Sequence, residues 1–133
     1  MGFHPAQNIL IVDDDPVIRT LVTEYLAHYG HTVEVVESGK LCLEKLQEKS
    51  PDILILDMLM PDMSGMEVLE SLRANPLTAN LPVIMLSADK SMAADATHGA
   101  HADRYIQKPF DIKDFLQAID ELHKPVGTIK VRM

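Results

Sequence analysis

Five short apolar runs punctuate the chain, at positions 9–12, 32–36, 53–56, 83–86 and 104–107, and the intervals between them carry apolar residues at helical spacing. Continuous runs of this length predict strands buried on both faces of a parallel sheet, since a strand with one wet face would alternate apolar and polar residues. Parallel neighbours must be joined by crossovers of a dozen or more residues, usually helical. The pattern therefore predicts one α/β domain, a doubly wound parallel sheet of five strands with five helices.

The intervals are punctuated as helices. Asp15-Pro16 offers a cap and a first-turn proline; Val17, Ile18, Leu21, Val22, Tyr25, Leu26 and Tyr29 follow at helical spacing until Gly30 stops it. A second helix starts near Ser38, with Leu41, Leu43 and Leu46 as its expected apolar positions before Ser50-Pro51. Ser64 with Glu67 forms a capping box for a third, whose buried stripe is Met66, Leu69 and Leu72. The alanine-rich stretch 91–99 predicts a fourth helix with little apolar face. Ile112, Phe115, Leu116, Ile119 and Leu122 line one side of the fifth, behind Asp111 as an expected cap.

Four of the five runs end in a residue with chemistry to offer. Asp13 and Asp14 follow the first, Asp57 the third, Ser87 the fourth and Lys108 the fifth. Open α/β sheets build their sites at the C-terminal ends of their strands, so these residues are expected to meet at one edge. Three carboxylates in one cleft repel one another, and a hard divalent cation with oxygen ligands, Mg²⁺ or Mn²⁺, relieves that repulsion. Such a cation keeps open positions for a phosphoryl oxygen. A hydroxyl at Ser87 and an ammonium at Lys108 can satisfy the others. Asp57 is then the nucleophile, a carboxylate able to form an acyl phosphate.

Composition narrows the class. The 133 residues, 47% of them apolar, suffice for one core without disulfides, and the lone Cys42 predicts a buried thiol in a reducing compartment. No stretch is long and apolar enough for a membrane helix, and the N-terminus lacks a signal-peptide pattern, so the expected location is the cytoplasm. With 12 basic against 20 acidic residues, the net charge of −8 argues against direct nucleic-acid binding. Residues 1–8 read as a lead-in, 9–124 as the domain, and 125–133 as a tail or the start of a linker.

The motifs VDDDP, DMLMPDMSGMEVL, the LSA after the fourth run and the KPF after the fifth, in that order, resemble the receiver domain of two-component response regulators. The resemblance runs from about residue 9 to about residue 122. It implies a flavodoxin-like strand order, 2-1-3-4-5. It also implies that Asp57 is the phosphoacceptor, that Asp14 and Asp57 bind the metal directly, that Asp13 binds through water and that the backbone carbonyl of Leu59 is a further ligand. Ser87 and Lys108 would sense the phosphoryl group and Tyr105 would be an aromatic switch. The implied donor is the phosphohistidine of a sensor histidine kinase or phosphotransfer protein. The implied output is a protein-binding surface around the fourth helix, fifth strand and fifth helix. By this reading the chain is a signalling switch rather than an enzyme, although it catalyses its own phosphorylation and dephosphorylation.

Some positions qualify the resemblance. Leu59 is apolar where many relatives carry a polar side chain, which predicts slow loss of the phosphoryl group. Asp89 adds an acid two residues past Ser87, with an effect of either sign. Asp15 reads as a helix cap rather than a ligand, Tyr105 fits a core position as well as a switch, and Met58, Met60, Met63 and Met66 read as flexible packing. Among six histidines only His98 and His101 approach ligand spacing, at an expected helix end. A haloacid-dehalogenase-type hydrolase would need an Asp where Leu59 stands, and a nucleotide site would need glycine where VDDDP places negative charge. A receiver-like scaffold that is never phosphorylated, and a receiver cut from a longer regulator or hybrid kinase, remain the competing readings.

Overall fold

A computed structural model describes residues 6–88 and 102–122. The elements are β1 (Asn8–Val12), α1 (Pro16–His28), β2 (Thr32–Val36), α2 (Gly39–Glu48), β3 (Ile53–Asp57), α3 (Gly65–Ala74), β4 (Val83–Ser87), β5 (Arg104–Gln107) and α4 (Ile112–Leu122). Four helices thus lie among the described residues, and the helix expected at 91–99 falls outside them. All strand pairs are parallel, in the order β2-β1-β3-β4-β5.

Alternation along the strands divides the core. Leu10, Val12, Leu54, Leu56, Val83 and Met85 point to one side, where they meet Cys42 and Leu46 of α2 and Val68, Leu69 and Leu72 of α3. Ile9, Ile11, Ile53, Ile55, Ile84 and Leu86 point to the other, against Val22 and Leu26 of α1 and Phe115 and Ile119 of α4. β1, β3 and β4 are therefore covered on both faces, as their unbroken apolar runs require. β2 and β5 are not: they are the edge strands, with Thr32, Glu34 and Val35 exposed on one and Arg104 and Gln107 on the other, so the two-sided burial expected of all five runs fails at both.

The helices follow their caps more closely than their apolar stripes. Asp15 accepts the Val17 N–H, Ser38 the Leu41 N–H, and Ser64 and Glu67 complete the expected capping box. At the head of α4 it is the Asp114 carboxylate that accepts an N–H, from Asp111. In α1 only Val22 and Leu26 are buried; Val17, Leu21, Tyr25 and Tyr29 are exposed because the sheet touches a narrow strip of the helix. α2 sits about one position off the expected face, burying Gly39, Cys42 and Leu46 while Leu41 faces out. The Cys42 thiol is fully enclosed, and burial pushes its pKa up to about 12.

Arg73 ties the end of α3 to the next two strands. Its Nη1 donates to the carbonyls of Leu81, Ala79 and Thr78 at 2.8, 3.2 and 3.4 Å, and its Nη2 reaches Asp103 at 3.3 Å. The same Asp103 oxygen accepts the Val83 N–H at 2.8 Å. Arg73→Ala leaves three loop carbonyls and a carboxylate without this donor, so equilibrium urea unfolding is expected to show a loss of about 2–3 kcal/mol. A midpoint equal to the parent's would mean the staple contributes nothing net.

Candidate functional site

The chain enters the sheet at β1, moves out to β2, and returns across β1 to β3. β1 and β3 are neighbours whose following helices lie on opposite faces, which leaves a crevice at their C-terminal ends. Asp13 lies immediately beyond β1 and is fully buried, Asp14 beside it is exposed, and Asp57 is the last residue of β3 and buried. Ser87 is the last residue of β4, buried, and Lys108 follows β5 directly. All five residues expected at this edge are placed there.

Backbone bonds hold the edge together. Met58 donates its N–H to the Leu86 carbonyl at 2.9 Å and Lys108 donates its own to the Ser87 carbonyl at 2.8 Å, extending the pairing past the strand ends. Lys108 and Pro109 are joined by a cis peptide bond. The Lys108 ammonium lies 3.1 Å from Asp57 Oδ1 and 3.7 Å from Asp13 Oδ2. The Lys108 ammonium thus faces two members of a cluster of three acids, Asp13, Asp14 and Asp57, in which one carboxylate oxygen of each lies within 4.8 Å of the others.

Asp13 bears the cost of this arrangement. Burial, its largest perturbation, together with the negative charge of Asp57, pushes its pKa up from 3.8 to about 6; the Asp15 N–H at 2.9 Å and the Lys108 ammonium pull the other way without prevailing. Its Oδ2 is buried and has no hydrogen-bond partner among the described residues. A buried carboxylate oxygen without a donor, inside an all-oxygen cluster short of positive charge, fits a hard divalent cation. Asp13, Asp14 and Asp57 are the side chains that could hold one.

The remaining expectations divide. The Leu59 side chain is 71% exposed, at the rim of the site, and its N–H makes a long 3.5 Å approach to Asp57 Oδ1. Tyr105 is half-buried against the core on the α2 and α3 side, with its hydroxyl accepting the Ala102 N–H at 3.2 Å, the arrangement of a core tyrosine with a paired tip. Asp15 caps α1, and the four methionines around Asp57 pack against the core. Asp89, His98 and His101 lie outside the described residues.

Two supporting residues escaped the sequence reading. Arg19 of α1 turns back to donate to the Asp13 carbonyl at 2.9 Å. Asp62, in the loop after β3, accepts the N–H of Gly39 at 3.1 Å and that of Lys40 at 2.9 Å, and these amides hold its carboxyl below the usual range, Lys40 most of all. An Asp in a loop and an Arg in a first helical turn have no spacing that betrays such partners.

The family model for the response regulator receiver domain matches residues 9–120. The chain belongs to that family. It is 34% identical over 126 residues to the probable transcriptional regulatory protein TcrX of Mycobacterium tuberculosis, covering 92% of this receiver and 52% of TcrX. It is 37% identical over 114 residues to the response regulator ArlR of Staphylococcus epidermidis, covering 84% of this receiver and 50% of ArlR. The chain thus spans about half the length of these relatives. Among solved structures it is similar to the chemotaxis response regulator CheY4 of Vibrio cholerae, with a TM-score of 0.82, 26% identity, and coverage of 90% of this receiver and all of CheY4. It is also similar to TrrA of Thermotoga maritima, solved in complex with Mg²⁺ and BeF, with a TM-score of 0.79, 32% identity and coverage of 88% and 99%. The sheet order expected from the motifs and the order found are the same.

Proposed function

We propose that this receiver takes a phosphoryl group onto Asp57 in a Mg²⁺-dependent reaction, from the phosphohistidine of a sensor histidine kinase or phosphotransfer protein. The observation that carries this reading is the Lys108 ammonium 3.1 Å from a buried aspartate whose acidic neighbour keeps an unpartnered oxygen. A carboxylate oxygen of Asp57 attacks phosphorus; the new P–O bond forms as the P–N bond breaks, and the imidazole leaves with the electron pair. Asp14, Asp57 and the Leu59 carbonyl would hold Mg²⁺ directly and Asp13 through water, and the ion would supply charge neutralisation for the phosphoryl oxygens; Mn²⁺ would suit the same donors. Lys108 and Ser87 then satisfy phosphoryl oxygens at the ends of β5 and β4.

Because the group stays on the protein's own side chain, the result is a switch rather than turnover of a diffusing substrate. Ser87 and Lys108 sit at the ends of neighbouring strands, so drawing them toward the phosphoryl group would bias an equilibrium of the surface around β5 and α4, with Tyr105 following; the fourth helix expected to share that surface lies outside the described residues. That surface is where a downstream protein would dock. Some relatives are named for DNA binding, among them MtrA of Mycolicibacterium smegmatis at 35% identity. We assign no nucleic-acid contact to this receiver, whose net charge of −8 opposes a phosphate backbone. Among the described residues no helix is long and apolar enough to cross a membrane, and with a single cysteine the reading places the domain in the cytoplasm.

Intact mass after incubation with acetyl phosphate tests the reading. The expected result is a gain of one phosphoryl group, dependent on Mg²⁺ and absent in Asp57→Asn. Failure with both acetyl phosphate and a phosphohistidine donor would favour the unphosphorylated scaffold. A second outcome concerns lifetime. Leu59 offers no polar atom on its side chain to orient water, so Leu59→Asn is expected to shorten the acyl-phosphate half-life on the order of tenfold, measured by loss of the added mass after donor removal. An unchanged half-life would separate hydrolysis from this position.

A further inference from the structure

Asp62 belongs to the loop that leaves the phosphoacceptor strand, yet its carboxylate works on another element. Oδ1 accepts the N–H of Gly39 at 3.1 Å and Oδ2 that of Lys40 at 2.9 Å, the first two residues of α2. These are orphan donors of a helix start, and the third, Leu41 N–H, goes to Ser38 at 3.1 Å. α2 therefore has two caps, one of its own and one lent by the loop.

The other end of the loop is equally fixed. The Met58 carbonyl accepts the Gly65 N–H at 2.7 Å, and the Met58 N–H is paired with Leu86. Met63 packs so closely on α2 that a Cβ at Gly39 would collide with Met63 Cγ and come within 2.9 Å of Val68 Cγ2. Between these anchors lie Leu59, Met60 and Pro61, of which Met60 packs against the core and Leu59 is exposed.

We propose that Asp62 is a positioning residue for the metal site, fastening the loop to α2 so that the backbone at Leu59 is held where a cation needs its carbonyl. The inference rests on the metal-binding reading above. It makes α2 a party to that site: whatever stabilises the loop at Leu59 also stabilises the first turn of α2, and the dependence is reciprocal.

Mg²⁺ titrations followed by backbone-amide NMR, on the parent and on Asp62→Ala, Asp62→Asn and Ser38→Ala, test it. Asp62→Ala is expected to raise the Mg²⁺ Kd about tenfold, as loss of support around a metal ligand commonly does. Ser38→Ala removes the other cap of the same helix and is expected to lower the unfolding midpoint comparably while leaving the Kd within about twofold. Asp62→Asn keeps one acceptor oxygen and is expected to fall between parent and alanine variant. Equal losses in Asp62→Ala and Ser38→Ala would reduce Asp62 to an ordinary cap, and equal losses in Asp62→Ala and Asp62→Asn would reduce it to a remote charge; either overturns the proposal, as does an unchanged Kd. A parent that binds Mg²⁺ but takes no phosphoryl group would defeat the proposed function and leave this inference to its titration. A parent that binds no Mg²⁺ would defeat both.

Discussion

Asp13→Asn is expected to make the metal-free receiver more stable at pH 7, by about 3 kcal/mol. The free-energy scale follows from the carboxyl's displacement from 3.8 to about 6 on folding, at about 1.4 kcal/mol per pH step. Below about pH 3 the group is protonated in folded and unfolded chains alike and costs nothing. Between about pH 4 and pH 6 the unfolded chain ionises first and binds fewer protons than the folded one, so stability falls as pH rises; above that window the cost is complete. Asparagine has no proton to lose. The difference between variant and parent should therefore grow from near zero at about pH 3 to its full value by about pH 7, in urea unfolding with a chelator present. Adding Mg²⁺ should stabilise the parent strongly and the variant little. A pH-independent difference would mean that burial of Asp13 carries no electrostatic penalty. The site thus keeps a destabilising carboxylate because the fold without it would have less to offer a cation.

Gly65→Ala is expected to cost about 3 kcal/mol of stability and most of the phosphoryl uptake. Alanine in a helix is ordinarily favoured over glycine by about 1 kcal/mol. Here the added Cβ would meet the carbonyl oxygen of Asp57, approach Met58 Cα at 2.9 Å and reach Met85 Sδ at 3.0 Å. The first two are backbone atoms of β3 and its exit, which cannot swing aside as a side-chain tip can. The clash therefore outweighs the helix preference, and relief requires α3 or the end of β3, where Asp57 sits, to shift. Thermal unfolding and acetyl phosphate labelling together check this. A variant with the parent's midpoint and labelling would show that α3 can shift without disturbing the strand.

The three inner strands were legible because burial on both faces leaves an unbroken apolar signature, and the chemically loaded residues were legible because they sit where those signatures stop. Asp57 and Ser87 even complete their strands, pairing with Leu86 and Gln107. What was hidden depends on distance along the chain or on breadth of contact. The seven apolar positions of α1 read as one buried face, but helical spacing does not tell how wide a strip the sheet will cover. α2 has too few apolar residues for its face to be fixed without knowing that Met63 presses on Gly39. The ties from Asp62 to Gly39 and Lys40 and from Arg73 to Asp103 join residues more than twenty positions apart through polar groups, for which no periodicity exists. Tyr105 was readable as a core residue with a paired hydroxyl, which is how it sits; its part in switching is a matter of a second state.

The enclosure of Cys42 gives this chain a reporter of its own motion. A lone thiol sealed under α2, with ionisation pushed to about 12, cannot meet an alkylating reagent until the helix lifts from the sheet. Alkylation in native buffer therefore tracks how much of the time that opening exposes the sulfur, and since α2 begins on the carboxylate of Asp62, it should slow when the neighbouring acids are occupied. One mass measurement over time would read how firmly that helix is closed, with no residue changed.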